Sequence, residues 1–387
     1  MLYFKDIFKE EGRKMGFKIT EEMFKKSLVN KGDVSRILKL IEKAENGEDI
    51  TVAFLGGSIT QGCNSTAPEK CYVELTYNWF KNKFNNINVK CINAGVGATG
   101  SLIGVHRVER QILSKNPDIV FVDAAVNDGE DYSCKVAYES VIRKLLSSKS
   151  KPAVVEIFMT MDTGFNVQEQ EIAVGERYNV PMISFRDAIK VEVDNNKMKF
   201  ADILTDEVHP NDDGHYIISQ ILTNFINSVY ENDYKRGGKI NIVDDALEKE
   251  CVFEDRYING TILNNLTINT NRVVGFENCD EGFQVFKNGW KFNGQANKDG
   301  KLVLEVEARN IILLYKRSTS ENSGKIIVKV NHDKKVQLDT YFKDGWGDFS
   351  ATEILELNDE TKKYIIEIDV IKENTLKEVT ILGILVS

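Results

Sequence analysis

The chain has 387 residues, 42% of them hydrophobic, with a formal charge of −9 and a pI near 5.3. That is enough apolar material for the cores of about two domains. The acidic balance leaves no basic excess to displace counterions from nucleic-acid phosphates and disfavours an anionic membrane surface, so neither is expected as a partner.

Residues 1–15 mix Lys and Glu with isolated Phe and Leu, and lack the continuous apolar stretch of a signal peptide. No run approaches the ~20 apolar residues of a membrane span, the longest candidates being short β-like segments such as 118–126. The sequence therefore predicts a cytoplasmic protein. Six cysteines, at 63, 71, 91, 134, 251 and 279, form no C-x-x-C pair and no regular spacing, which reads as free thiols rather than a zinc site or a disulfide framework.

In chain order, residues 1–47 form a charged lead-in, with a helix over 33–44 capped by Asp33 and stopped by Gly47. From 48 to 235 short β-branched runs alternate with longer amphipathic ones, as in a βαβ sheet with helices on both faces. Strands are predicted at 50–55, 88–92, 119–123, 153–158 and 181–184. Helices are predicted at 69–84, 102–114, 132–146, 167–178 and 214–230, giving five parallel strands. A polar linker follows at 231–238. From 240 to 387 closely spaced strands without intervening helices, among them 302–306, 311–315, 325–330, 364–370 and 379–386, predict an antiparallel, jelly-roll-like sandwich.

The first strand of the α/β part runs straight into Gly56-Gly57-Ser58-Ile59-Thr60-Gln61-Gly62. Ligands bind at such strand ends in open α/β sheets, and two glycines allow a tight turn from which Ser58 presents both a hydroxyl and its own amide. Alone, the segment also reads as an ordinary turn. More than a hundred residues later comes Asp206-Glu207-Val208-His209-Pro210-Asn211, just before the last helix. A serine hydroxyl needs a base, and an imidazole base needs a carboxylate to hold its tautomer; Asp206 and His209 can supply both. The bland alternative is a loop histidine with Asp206 capping a turn. Of the four histidines, only His209 has both a nearby carboxylate and a pre-helix loop; His106, His215 and His332 read as packing or surface residues. Two further loops offer donors for a developing oxyanion: Asn93-Ala94-Gly95-Val96-Gly97-Ala98-Thr99-Gly100, and Val126-Asn127-Asp128.

Taken together, these four segments resemble the SGNH, or GDSL-like, hydrolase family, whose blocks contribute serine, glycine, asparagine and histidine in this order along a flavodoxin-like sheet. The resemblance spans about residues 48–230. It implies Ser58 as nucleophile, with Asp206 and His209 as its catalytic partners. For the oxyanion hole it implies Ser58, Asn127 and Gly97, although an ungapped match places Ala98 in the glycine position. The name-giving aspartate before the serine is Gly57 here. No metal or organic cofactor is implied. A histidine base must be neutral to act, so activity is expected to fall in acid.

The resemblance leaves acyl group and alcohol open. Trp290 and Trp346, in Gly289-Trp290-Lys291-Phe292 and Phe342-Lys343-Asp344-Gly345-Trp346-Gly347, either offer faces for sugar rings or fill the sandwich core. Several carbohydrate acetyl esterases pair an SGNH domain with a jelly roll, the best-known arrangement placing the sandwich first, the reverse of the order here. The expectation is a serine esterase removing small acyl groups, acetyl foremost, from oligosaccharides. A lipid-directed esterase or thioesterase, and a catalytically inactive sugar-binding protein, are the alternatives. A homo-oligomer stays open.

Overall fold

A computed structural model describes residues 19–294 and 297–387. The lead-in stretch at 1–15 lies outside the described residues. The chain then runs through α1 (Glu21–Ser27), β1 (Leu28–Asn30), α2 (Ser35–Glu45), β2 (Ile50–Gly56), α3 (Ser58–Gln61), α4 (Tyr72–Lys83), β3 (Val89–Gly95) and α5 (Ser101–Gln111). It continues with β4 (Ile119–Asp123), α6 (Tyr132–Ser147), β5 (Ala153–Phe158), α7 (Gln168–Tyr178), β6 (Met182–Ser184), α8 (Phe185–Asp194) and α9 (Asp212–Asn232).

Strands β2, β4 and β5 are buried at every position, as expected of parallel strands covered on both faces. Along β2 alternate residues serve opposite layers. Val52 and Phe54 face the core built with α2, α4 and α9, while Ala53 and Leu55 face the one built with α5, α6 and α7. The sheet order is β1-β6-β5-β4-β2-β3, and β2 to β6 are parallel. Among the parallel strands this is the 2-1-3-4-5 order of flavodoxin-like sheets.

Three departures from the sequence reading concern the edge of this sheet and two of the helices. Leu28–Asn30 pairs antiparallel with β6, so the lead-in contributes a sixth strand rather than a helix alone. The lead-in helix itself has Val34 as N-cap, although Asp33 Oδ1 accepts from the Ser35 amide at 2.8 Å. Helix α8 was not anticipated. It starts directly after β6, with the Ser184 hydroxyl accepting from the Asp187 amide at 3.0 Å.

Beyond α9 the second part is all-β: β7 (Thr261–Leu263), β8 (Asn269–Val274), β9 (Phe276–Cys279), β10 (Gly289–Gly294), β11 (Gly300–Arg317), β12 (Lys325–Val330), β13 (Asp333–Asp339), β14 (Phe349–Val370) and β15 (Lys377–Val386). Among the described residues its strand-to-strand ladders are all antiparallel. The stretches 302–306 and 311–315, read as two strands, are one strand of 18 residues, β11, with register shifts near Ala308–Asn310 and Ile311–Ile312 against the 22-residue β14. A bulge absorbs the break in alternation without ending the strand.

The two parts share a core. Val105, Val108, Tyr138 and Val141 of α5 and α6 pack in one cluster with Tyr257, Phe286, Ile312, Leu314, Leu382 and Leu385. All six cysteines are free.

Candidate active site

Four chain segments converge at the C-terminal edge of the parallel sheet. Strand β2 ends at Gly56 and α3 begins at Ser58, so Ser58 is the first residue of a helical turn and its amide is not used inside that turn. Strand β3 leads into a turn over 96–99, closed by the Thr99 amide donating to Val96 O at 3.2 Å. Strand β4 leads to Asn127, and the loop before α9 carries His209.

Ser58 and His209, 151 residues apart in sequence, meet with Oγ and Nε2 at 2.9 Å. On the other side of the ring, His209 Nδ1 lies 2.8 Å from Asp206 Oδ2 and 3.0 Å from Oδ1. A carboxylate is an acceptor, so Nδ1 carries the proton and the lone pair of Nε2 is aimed at the serine. Asp206 Oδ1 also accepts from the amides of Val208 (2.9 Å) and His209 (2.7 Å), and Oδ2 from Asn64 Nδ2 (3.0 Å). Partial burial works to raise the Asp206 carboxyl, but the two amides and the imidazole outweigh it and hold it below the ordinary carboxylate value. The loop is itself pinned: the Thr205 amide and hydroxyl both donate to His209 O, and Asn211 caps α9 through the amides of Asp213 and Gly214.

Asn127 and Gly97 flank the serine. A Cβ built on Gly57 would lie 2.0 Å from Asn127 Oδ1, so the Asn127 carboxamide fills the space that any side chain at 57 would need. A Cβ built on Gly97 would lie 3.9 Å from Ser58 Cβ, which places this glycine beside the nucleophile candidate. In the structure the Gly97 amide donates to Gln61 Oε1 at 2.8 Å, so a carbonyl oxygen already occupies that donor. Ala98 adopts φ +58°, a left-handed conformation that glycine takes without cost.

Several residues that sequence reasoning passed over hold these loops. Arg107, buried on α5, donates to Ala94 O (2.5 Å) and Gly56 O (2.9 Å) and reaches Thr99 Oγ1 (3.3 Å), tying the ends of β2 and β3 to the 96–99 turn. Thr60 Oγ1 donates to Asp123 Oδ2 (2.9 Å) and lies 2.8 Å from the Tyr72 hydroxyl. Asp128, next to Asn127, accepts from the Ser101 amide at 2.7 Å and so anchors the start of α5. Of these, Asp128 alone carried a signal, as the neighbour of the asparagine.

The other histidines lie elsewhere. His106 is buried, its Nδ1 2.7 Å from Leu102 O, and burial lowers its pKa to about 4. His215 packs between the Tyr72 amide and Cys63 O. His332 sits 2.7 Å from Glu367 on the β-rich part. The two tryptophans divide. Trp290 is 1% exposed and belongs to the core of the β-rich part, which rules out a sugar-stacking role for it, whereas Trp346 is 70% exposed. A cavity of about 670 Å³ between α6 and residues 247–259 contains none of the residues described at Ser58.

A serine hydroxyl, an imidazole and a carboxylate in series at the carboxyl edge of a flavodoxin-like sheet are the equipment of an acyl-ester hydrolase. Residues 54–217 match the model of the GDSL-like Lipase/Acylhydrolase family. The chain carries that domain and is a carboxylic ester hydrolase, with an all-β part following it. Among solved structures it is similar to a two-domain esterase active on acetylated mannans, at 29% identity over 94% of this chain and 98% of that one, with a TM-score of 0.86. A structure of such an esterase co-crystallised with mannopentaose matches at 29% identity over 96% and 98%, with a TM-score of 0.85. These matches run end to end, so the order of α/β part and β-rich part is the same in both chains. No curated protein sequence matches the chain.

Proposed function

We propose that the protein is a carbohydrate acetyl esterase working by a Ser-His-Asp mechanism. As the Ser58 Oγ–carbon bond forms, the hydroxyl proton passes to His209 Nε2, and Asp206 stabilises the resulting imidazolium. The negative oxygen of the tetrahedral intermediate is received by the Ser58 amide, the Asn127 carboxamide and the Gly97 amide, the last once the exposed Gln61 side chain gives way. Collapse breaks the ester C–O bond, and His209 returns its proton to the leaving sugar hydroxyl. Water then attacks the acyl-serine by the same route and releases acetate. The observation that carries this reading is the continuous contact Ser58 Oγ–His209 Nε2–Asp206.

Two observations favour a sugar ester over a lipid. The side chains around Ser58 are polar: Gln61, Asn64, Asn127 and Gln284. Exposed Trp346 is braced by Phe349 (ring centroids 5.2 Å) and Phe342 (5.8 Å), with Arg317 over both phenyl rings, an ordered aromatic face suited to a pyranose. The similarity to an esterase active on acetylated mannans supports acetylated manno-oligosaccharides as the first substrates to try.

Hydrolysis of p-nitrophenyl acetate is expected, falling by about 10⁴-fold or more in Ser58→Ala, the scale of losing a triad nucleophile. Equal rates in both would end the esterase mechanism. An acyl-length series from acetate to decanoate is expected to favour acetate, and a preference for long chains would replace the sugar reading with the lipid one.

A further inference from the structure

Gly97, the residue beside Ser58, is gripped from both parts of the molecule. The Gly97 N–H donates to Gln61 Oε1, and its carbonyl accepts from Gln284 Nε2 at 3.0 Å, a residue of the β-rich part. Gln284 Oε1 accepts in turn from the buried Ser350 hydroxyl at 2.7 Å, so both ends of the Gln284 amide have partners and its orientation is fixed. Gln284 itself adopts φ +53°, unusual for a residue with a side chain. Its neighbours hold that backbone in place. Phe286 is buried in the shared core, Phe283 and Val285 pack against it, and Arg110 of α5 donates to Val285 O at 3.3 Å.

The Gly97 carbonyl and the Ala98 N–H belong to one trans peptide, so they point in opposite directions and fixing one fixes the other. This peptide is the centre of the 96–99 turn, in which Ala98 holds a left-handed corner, and a turn of this kind has an alternative with the central peptide flipped. We propose that Gln284 is a positioning residue for ester hydrolysis: its bond to the Gly97 carbonyl holds the 96–99 turn, fixing the Ala98 N–H through the peptide they share and holding in place Gly97, whose own N–H lies in the preceding peptide, so the β-rich part sets the backbone donors that face the developing charge. The inference rests on the mechanism proposed above.

The test uses the full chain, Gln284→Leu and Ser350→Ala, with p-nitrophenyl acetate, an ester too small to need sugar contacts. In Gln284→Leu kcat is expected to fall about 10-fold, part of the ~10²–10³ that a whole oxyanion donor supplies. KM should stay within about twofold, and inhibition by a boronic acid, whose adduct on Ser58 mimics the tetrahedral intermediate, should weaken by the same factor as kcat. Ser350→Ala should show a smaller loss of the same pattern. A Gln284→Leu kcat within about twofold of the parent, or a loss confined to KM with boronate affinity unchanged, would overturn the inference. Should Gln284→Leu fail to fold, an unchanged kcat in Ser350→Ala overturns it instead. An inactive parent chain would overturn the proposed mechanism and this inference together, whereas an active parent with an unaffected Gln284→Leu would overturn this inference alone.

Discussion

At position 57 the chain has glycine where the family's name-giving aspartate stands, and the packing gives the reason. The Asn127 carboxamide occupies the space of a Cβ at 57, so a side chain there and the present Asn127 placement exclude each other. On the proposed mechanism, in which Asn127 is an oxyanion donor, placing the aspartate there is therefore expected to harm: Gly57→Asp should lower kcat on p-nitrophenyl acetate by about 10²-fold or more, the worth of a displaced donor. Adding Asn127→Ala to Gly57→Asp should cost little further, because the same donor is already lost. Full additivity in that double variant would show that residue 57 acts by another route. That the fold joins Ser58, Asp206 and His209 was legible because two short segments hold them at a strand end and at three-residue spacing, in a chain with few histidines. Gln61, Asn64, Arg107 and Gln284 were not. Each acts through bonds that only tertiary structure creates, and Gln284 lies 187 residues from the glycine it holds.

At the scale of elements, the end of β4 carries two buried carboxyls. Burial raises both Asp123 and Asp128 to about 7, against the opposing hydrogen bonds from Thr60 and Ser101. Such a group keeps its proton in the fold but gives it up near 3.8 when the chain unfolds. Its stabilising contribution is therefore complete below that value and is lost as pH climbs towards about 7. Asp123→Asn, which cannot ionise, is expected to flatten the decline of Tm between about pH 4 and pH 7. An unchanged slope would mean that Asp123 is already charged in the native protein. The five parallel strands were legible from β-branched runs separated by amphipathic ones. β1 was not, being three residues long, and α8 was not, because no glycine, proline or polar break separates it from β6. The one local sign was Ser184 followed three residues later by Asp187, a cap that propensity alone does not single out.

At the scale of the whole molecule, the α/β and β-rich parts are fastened as well as packed. Glu139 of α6 accepts from the amides of Val252 (2.7 Å) and Phe253 (2.6 Å), Arg143 donates to Leu247 O and Lys249 O, and Lys144 donates to Gly260 O. With an apolar cluster running across the boundary, thermal unfolding is expected as one calorimetric transition. Two resolved peaks would show parts that melt independently, and would weaken the case for a β-rich part that controls the ester-cleaving site. No sequence pattern announced this union, because the surfaces that meet are each ordinary amphipathic faces when read alone. Among the described residues no helix is long and apolar enough to cross a membrane.

The unequal placement of the three indoles also furnishes a built-in optical reporter. Trp290 is enclosed, Trp79 is half-buried, and Trp346 is 70% exposed, so water-relaxed, long-wavelength emission and susceptibility to a soluble quencher such as iodide should reside mainly in Trp346. A glycan laid across that ring would shift its emission to the blue and shield it from iodide, without any label or turnover. Titrating Ser58→Ala with acetylated manno-oligosaccharides and following the spectrum would read occupancy directly, and a spectrum indifferent to saturating sugar would remove Trp346 from the recognition surface.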